Sequence, residues 1–441
     1  MKLDFIDVKR AYFQADARRD VFVKLPEEDM EQGMCGKLLK SMYGTRDAAQ
    51  NWEEEYCAFM VSIGFRRGIS SPCVFYHEEL DIRAVIHGDD FTMLGWNSAL
   101  DWFRQEISKK FVVKFKAKLG PEPTDGKVVR VLNRLVEWKT DGIYYEADQR
   151  HAEIIVKTLQ EEIGNVTLNN PGKRIRPEDM TEKDVEELSR EDASVYRALS
   201  ARGNYMAQDR TDVRFAVKEI SRHMSKPRNV DWEALIRLGK YLKGRERFVT
   251  HYEYQQNTSE NSNKFVNVWV DTDFAGCLET RKSTSGGVIM LNNHVIKAWS
   301  VTQTVIALSS GEAEYYGLVR GSSMGLGVIS MLEDLGISRR LKVKTDASVA
   351  KAISARRGVG KIRHIEVSQL WLQDRVNRGD LEVEKVRGEI NRADPFTKYK
   401  DWAAINKNNE WLTSEVREDR HKEMPILDVK EEELENEDDD W

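Results

Sequence analysis

Cysteine is scarce in this chain. Its 441 residues include only Cys35, Cys57, Cys73 and Cys277, and no two of them form a CxxC pair. A disulfide scaffold and a zinc ribbon are therefore set aside, and a reducing compartment is the expectation. No apolar run approaches the roughly 20 residues of a membrane span, and no signal-peptide core follows Met1. The sequence reads as that of an intracellular protein, of the cytoplasm or nucleus, with no membrane partner. Internal repeats are also lacking, which sets repeat architectures aside.

What is present suits a folded, multidomain chain. Hydrophobic residues make up 40% and charged residues 32%, enough to bury a core and exclude wholesale disorder. The length fits two or three domains. The net charge is −6, but residues 415–441 alone carry −9 and leave the remainder at +3. Residues 401–441 are read as an acidic, disordered tail, and the body as mildly basic and compatible with a polyanion.

Hydrophobic spacing gives the coarse organisation. Residues 2–8 read as a strand and 47–63 as a helix, with Trp52, Tyr56 and Met60 four apart. Strands follow at 74–76, 82–86 and 91–94, the last two joined by a tight His87-Gly88-Asp89-Asp90 turn. Residues 98–111 read as a helix, and 128–138 with 142–146 as a hairpin around Asp141-Gly142. The polar stretch 169–192, with Pro171 and Pro177, is an exposed connection, and 196–244 return to helical spacing. The hydrophobe-poor stretch 255–264 is the best linker candidate. Beyond it, strands at 265–270, 287–291, 295–299, 341–344 and 381–386 mix with helices at 310–335, 348–355 and 365–378. That is a mixed α/β unit.

Two sets of carboxylates stand out. Asp7 ends one apolar strand, while Asp89 and Asp90 occupy a turn between two others. Adjacent acids repel, and both gain from a divalent cation, which takes oxygen ligands. Neighbouring strands of one sheet would gather the three, as two-metal nucleotidyl transfer requires. The plainer reading is a solvated turn. In the second half, Asp271 ends a strand, Glu314 sits on the long helix, Asp346 closes the next strand and Asp394 begins a late helix. Converging, such residues would hold two metal ions and activate water against a phosphodiester. Singly, each would cap a turn or solvate a helix face.

The residues around these acids are specific. Asp7-Val-Lys-Arg-Ala-Tyr12, Val21-Phe-Val-Lys-Leu-Pro26, Lys40-Ser-Met-Tyr-Gly44, Trp52 and His87-Gly-Asp-Asp90 resemble the reverse transcriptase of copia-type retrotransposons. Asp271-Thr-Asp-Phe-Ala-Gly-Cys277, Arg281-Lys-Ser-Thr-Ser-Gly286, Ala307-Leu-Ser-Ser-Gly-Glu-Ala-Glu-Tyr315, Arg363-His-Ile-Glu-Val367 and Ala393-Asp-Pro-Phe-Thr-Lys398 resemble, in order, the RNase H domain of the same polyproteins. Tyr241-Leu-Lys-Gly244 and the helical stretch before it resemble the thumb and connection between them.

The resemblance implies a multidomain α+β and α/β chain. Its parts would be a reverse transcriptase palm at 1–97, a helical thumb and connection region at 98–254 with the exposed loop 169–192, the linker, an RNase H-like mixed-sheet domain at 265–400, and the tail. The palm is expected to lack fingers, because only six residues precede Asp7. Implied catalytic and metal-binding residues are Asp271, Glu314, Asp346 and Asp394 for RNase H and Asp7, Asp89 and Asp90 for the polymerase, with two Mg²⁺ or Mn²⁺ ions per site. Tyr12 would act as a steric gate against a ribose 2′-OH. Arg281, Lys282, Ser283, Thr284 and His364 would contact substrate. The basic stretch Arg197, Arg202, Arg210, Arg214, Lys218, Arg222 and Lys226 would follow a duplex backbone.

Implied partners are an RNA/DNA hybrid and an RNA template with a DNA primer. Deoxynucleotide triphosphates are the weaker expectation, because Asp47 sets a carboxylate where the family has glutamine. The expected function is cleavage of RNA in RNA/DNA hybrids. Its rivals are an inactive transposon relic that binds nucleic acid, and a full RNA-dependent DNA polymerase whose fingers come from elsewhere.

Overall fold

The computed structural model describes residues 1–255, 264–360 and 365–427. Most of the expected linker at 255–264, His364 and the acidic residues 428–441 thus lie outside the described residues. The chain divides into two compact units, Met1–Val129 with Glu137–Thr140 and Gly327–Ser338, and the remainder. Among the described residues no helix is long and apolar enough to cross a membrane.

The first unit is built on strands β1 (Lys2–Val8), β2 (Arg66–Arg67), β3 (Val74–His77), β4 (Ile82–His87), β5 (Asp90–Gly95) and β6 (Val113–Leu119). They form one antiparallel sheet in the order β2-β3-β4-β5-β1-β6. Period-two alternation buries Ile82, Ala84, Ile86, Phe91 and Met93 on one face. Helices α1 (Ala48–Ser62) and α2 (Asn97–Lys110) bring Trp52, Tyr56, Phe59, Met60, Leu100, Phe103 and Ile107 into the same core. Each such side chain contributes about 1.5–3 kcal/mol on burial. The expected boundary at residue 97 is corrected by this packing, since α2 and β6 belong to the first unit.

Strands β7 (Val128–Val131), β8 (Arg134–Trp138), β9 (Gly142–Glu146) and β10 (Arg247–Glu253) follow. Residues 128–138 were expected to be one strand but form a hairpin. Leu132 and Asn133 at its tip both have positive φ, 48° and 61°, the pattern of a type I′ turn. Helices α3 (Arg150–Thr158), α4 (Arg190–Met206), α5 (Arg214–Ser221) and α6 (Asn229–Leu242) pack around Tyr196, Leu199, Val217, Leu235, Leu238 and Tyr241.

This helical core corrects the expected basic track. Arg210 is 1% exposed and forks onto Asp212, with Tyr241 donating to the same carboxylate. Arg214 donates to the Gln208 carbonyl. Lys218 and Arg222 share Glu219, and Lys226 reaches Glu187. Much of the stretch is thus internal wiring.

The second mixed sheet comprises β11 (Phe265–Asp273), β12 (Thr284–Leu291), β13 (His294–Thr302), β14 (Arg340–Thr345) and β15 (Leu381–Lys385). Its order is β13-β12-β11-β14-β15. The first three strands are antiparallel neighbours, and β14 and β15 add in parallel. Parallel neighbours need long crossovers, supplied here by α7 (Ser310–Asp334), α8 (Ser348–Ala355) and α9 (Trp371–Arg378). The mixed α+β architecture with several sheets is as expected.

The expected disordered tail is corrected at its start. Asp401 caps α10 (Trp402–Trp411) by accepting from Ala404 N–H at 2.9 Å, and β16 (Ser414–Arg417) pairs with β10. The acidic run further on weighted the charge count and hid the apolar positions Ile405 and Leu412, which are buried.

Candidate active sites

The β11–β14 register builds the first site. Parallel pairing sets Trp269 opposite Lys344, so two residues further along each strand stand Asp271 and, just past β14, Asp346. Helix α7 brings the third carboxylate. It lies unusually close to β11 because Gly317 and Gly321 face the strand; a Cβ there would sit 2.5 Å from Thr272 Oγ1 and 2.3 Å from Val270 Cγ1. One turn before Gly317, Glu314 reaches the strand ends. Asp271, Glu314 and Asp346 offer carboxylate oxygens that all lie within 4.8 Å of one another. No other described trio of acidic, histidine or cysteine side chains meets that spacing.

Asp271 is buried and Glu314 half-buried, and both resist ionisation. Burial pushes Asp271 up to about 6, with Asp394 and Asp346 adding repulsion against the hydrogen bond from Thr397 and the charge of Lys398. Burial and the charges of Asp271 and Asp346 push Glu314 up to about 9. Glu314 Oε2 is buried with no hydrogen-bond partner among the described residues. An all-oxygen, anionic, partly unsatisfied donor set fits a hard divalent cation.

The fourth expected acid is close but engaged. Asp394 opens a short 3₁₀ turn, Asp394–Phe396, and pairs with Lys398 at 2.6 Å and with Lys400. Asn391 Nδ2 donates to the Val270 carbonyl at 2.9 Å and pins this segment to β11. Thr397, Lys398 and Asn391 were missed as site residues although they flank Asp394 in the matching stretch. The neighbouring Glu312 accepts from Leu308 N–H and the Tyr316 hydroxyl, so it serves the start of α7.

The expected substrate contacts divide. Arg281 is exposed and Lys282 half-buried. Ser283 and Thr284 are buried at 0% and 3% exposure; Ser283 accepts from Ala275 N–H, and Thr284 accepts from Lys218 Nζ at 2.8 Å. Direct phosphate contact by those two hydroxyls is corrected on that ground. His364 lies outside the described residues.

The other acids share the first unit. Asp7 on β1 is in register with Asp90 on β5, and Gly88-Asp89 form the two-residue turn before it. Gly88 has φ 63°, as the first position of a type II′ turn demands. Trp52 Nε1 donates to the Gly88 carbonyl at 2.8 Å and braces the turn from α1. Burial, then Asp7 and Asp90, raise the Asp89 carboxyl.

Lys116 is the residue that spacing did not reveal. The β1–β6 register skips it between Phe115 and Ala117, and this bulge aims its amine at Asp90 (2.7 Å) and Asp7 (3.1 Å). Tyr12 packs against Tyr43 with centroids 4.4 Å apart and the rings tilted by 31°. Asp47 is held by Arg19 at 3.0 Å, which lowers its carboxyl and offsets the charge expected to repel a triphosphate.

Residues 2–121 match the family described as reverse transcriptase (RNA-dependent DNA polymerase). A retrovirus-related Pol polyprotein from transposon TNT 1-94 of Nicotiana tabacum is 26% identical over 414 residues, covering 90% of this chain and 30% of the polyprotein. The chain is similar to retrovirus-related Pol polyproteins of transposons. It thus corresponds to about 30% of the tobacco Pol polyprotein's length. Among solved structures, a foamy viral protease-reverse transcriptase in complex with RNA/DNA hybrid aligns at 8% identity and TM-score 0.43, covering 88% of this chain and 44% of that one. A compost-derived RNase H1, LC11, aligns at 19% identity and TM-score 0.23, covering 33% of this chain and 97% of the enzyme.

Proposed function

We propose that this chain hydrolyses RNA in RNA/DNA hybrids at the Asp271–Glu314–Asp346 cluster. The observation that carries the reading is the convergence of three carboxylates within 4.8 Å beside a buried, unpartnered Glu314 oxygen. A fold does not need such a repulsive arrangement; a cation-dependent reaction does. Asp271, Glu314 and Asp346 would hold Mg²⁺ or Mn²⁺ through oxygen, and Glu314 would release its proton on doing so. Two bound divalent cations would supply polarisation of the scissile phosphate and a more acidic attacking water. Thr397 fixes the Asp271 carboxylate by donating to it. Asp394 would join the set on releasing Lys398 and Lys400, with which it is paired. Discrimination of hybrid would rest on duplex shape and the 2′-OH, since these residues carry no base-reading pattern.

A second activity, RNA-templated DNA synthesis from a DNA primer, is supported by the family match over residues 2–121 and the in-register Asp7 and Asp90. In that reading Asp7, Asp89 and Asp90 would hold the metal ions, and Tyr12 would gate the sugar of a deoxynucleotide triphosphate.

Cleavage of a labelled RNA/DNA hybrid by the purified chain in Mg²⁺ tests the first activity. Asp346→Asn should lower the rate at least about 100-fold, the scale of losing one catalytic electrostatic group. Asp89→Asn should leave cutting intact. Folded protein that cuts in neither Mg²⁺ nor Mn²⁺ sinks the proposal and leaves a nucleic-acid-binding relic.

A further inference from the structure

Within the second unit, the loop expected to be a mere connection meets the turn after β11. Lys173-Arg174-Ile175-Arg176 lies on one side and Leu278 to Arg281 on the other, around an open groove of about 510 Å³ lined by Arg174, Arg176, Pro177, Glu178, Leu278 and Arg281. The loop is anchored rather than loose. Pro171 and Gly172 are buried at its base, and a Cβ on Gly172 would lie 2.1 Å from the Tyr399 ring. At the groove itself, Arg174 Nη2 donates to the Gly276 carbonyl at 3.0 Å. The facing turn closes on itself through Arg281 N–H to Cys277 O at 2.8 Å and Cys277 N–H to Lys282 O at 3.1 Å.

Two features point to an anionic ligand. Three guanidinium groups share the groove with a single carboxylate, Glu178, and neither Arg176 nor Arg281 has an ion-pair partner among the described residues. Arg281 also stands at φ 55°, a left-handed conformation that costs a non-glycine residue about 1 kcal/mol or more. The shape then narrows the class. No aromatic side chain lines the groove, so it has nothing on which a base would stack. It is open and shares Arg174, Pro177 and Leu278 with an adjoining pocket that adds Lys173, while Arg222 and Arg228 there are paired with Glu219, Asp231 and Glu279. That describes a track for successive phosphates rather than a cup for one nucleotide. The Gly276 backbone that Arg174 holds lies against the Asp273 carboxylate, where a Cβ on Gly276 would meet Oδ2 at 1.8 Å, and Asp273 is two residues along β11 from Asp271.

We propose that Arg174, Arg176 and Arg281 form a phosphate-backbone track that holds the nucleic-acid duplex beside the Asp271–Glu314–Asp346 site. The inference rests on the hybrid-cleavage reading for its substrate, and its test separates the two. Binding of a fluorescent RNA/DNA hybrid is measured between 50 and 200 mM salt in an Asp346→Asn background, with and without Arg176→Gln/Arg281→Gln. Those two side chains make no internal ion pair among the described residues, so the double variant should keep its fold, checked by circular dichroism. The slope of log affinity against log salt should become shallower by roughly 2, about 0.9 for each phosphate that is no longer neutralised. Lys297→Gln, an exposed cation on β13, should leave the slope unchanged.

An unaltered slope in the double variant overturns the track, even if the parent protein cuts hybrid. A shallower slope in a chain that cuts nothing supports the track and overturns only the nuclease reading. No measurable binding by the parent overturns the track as well. Loss of poly-glutamate binding with hybrid binding intact would assign the groove to an acidic peptide instead.

Discussion

At the scale of single residues, Glu314 is the most informative group. Its carboxyl is pushed up to about 9, far above the usual range near 4.3 for glutamate. A group whose folded pKa is raised adds stability that is full below its unfolded value and is lost as pH rises through the folded one. The cation-free protein should therefore lose stability steadily from about pH 5 to pH 9, with Asp271 adding its share up to about 6. Glu314→Gln should flatten the upper part of that decline, read as melting temperature against pH in a chelator. Added Mg²⁺ should stabilise the parent more at pH 8 than at pH 6 and the variant little at either. Parallel pH profiles for the two proteins would mean that Glu314 is ordinarily ionised and solvated.

At the scale of elements, the approach of α7 to β11 decides whether there is a site at all. The helix reaches the strand because it presents hydrogen where other residues present a methyl group. Alanine at Gly321 would put its Cβ 2.3 Å from Val270 Cγ1, and helix or strand must move. Better helix propensity returns at most about 1 kcal/mol, against about 1–3 kcal/mol for overpacking. Gly321→Ala should thus lower the urea midpoint and weaken Mg²⁺-dependent cleavage together. The same change at Gly327 has open space around it and should be neutral or stabilising. Equal midpoints for Gly321→Ala and the parent would show that the helix can shift without cost.

At the scale of the whole molecule, charge is unevenly placed. Residues 428–441 carry a net charge of −8, against −6 for the whole chain, so the rest is slightly basic. If that acidic run competes with nucleic acid, truncation after Leu427 should tighten hybrid binding several-fold at 50 mM salt and hardly at all at 500 mM, where screening is nearly complete within about 4 Å. Unchanged affinity at low salt would reduce the run to a solubilising appendage. The cut must not fall earlier. Ending the chain at residue 414 would delete most of β16, strip β10 of one of its two neighbours and remove the ion pair of Arg247 with Asp419.

Local pattern made a good part of this protein legible. The helices at Ala48–Ser62 and Ser348–Ala355 and the strands around His87-Gly88-Asp89-Asp90 follow from spacing and turn chemistry, because those forces act within a few residues. The sequence also named Asp271, Glu314 and Asp346, since motif words travel with their acids. What it could not supply were partners far along the chain. The bulge that aims Lys116 at Asp7, the pairing of Asp394 with Lys398 and Lys400, and the burial of Ser283, Thr284 and Arg210 all depend on which surfaces meet. Residue type fixes the charge or hydroxyl a side chain carries. Only tertiary packing decides whether it faces water, a neighbour or a substrate.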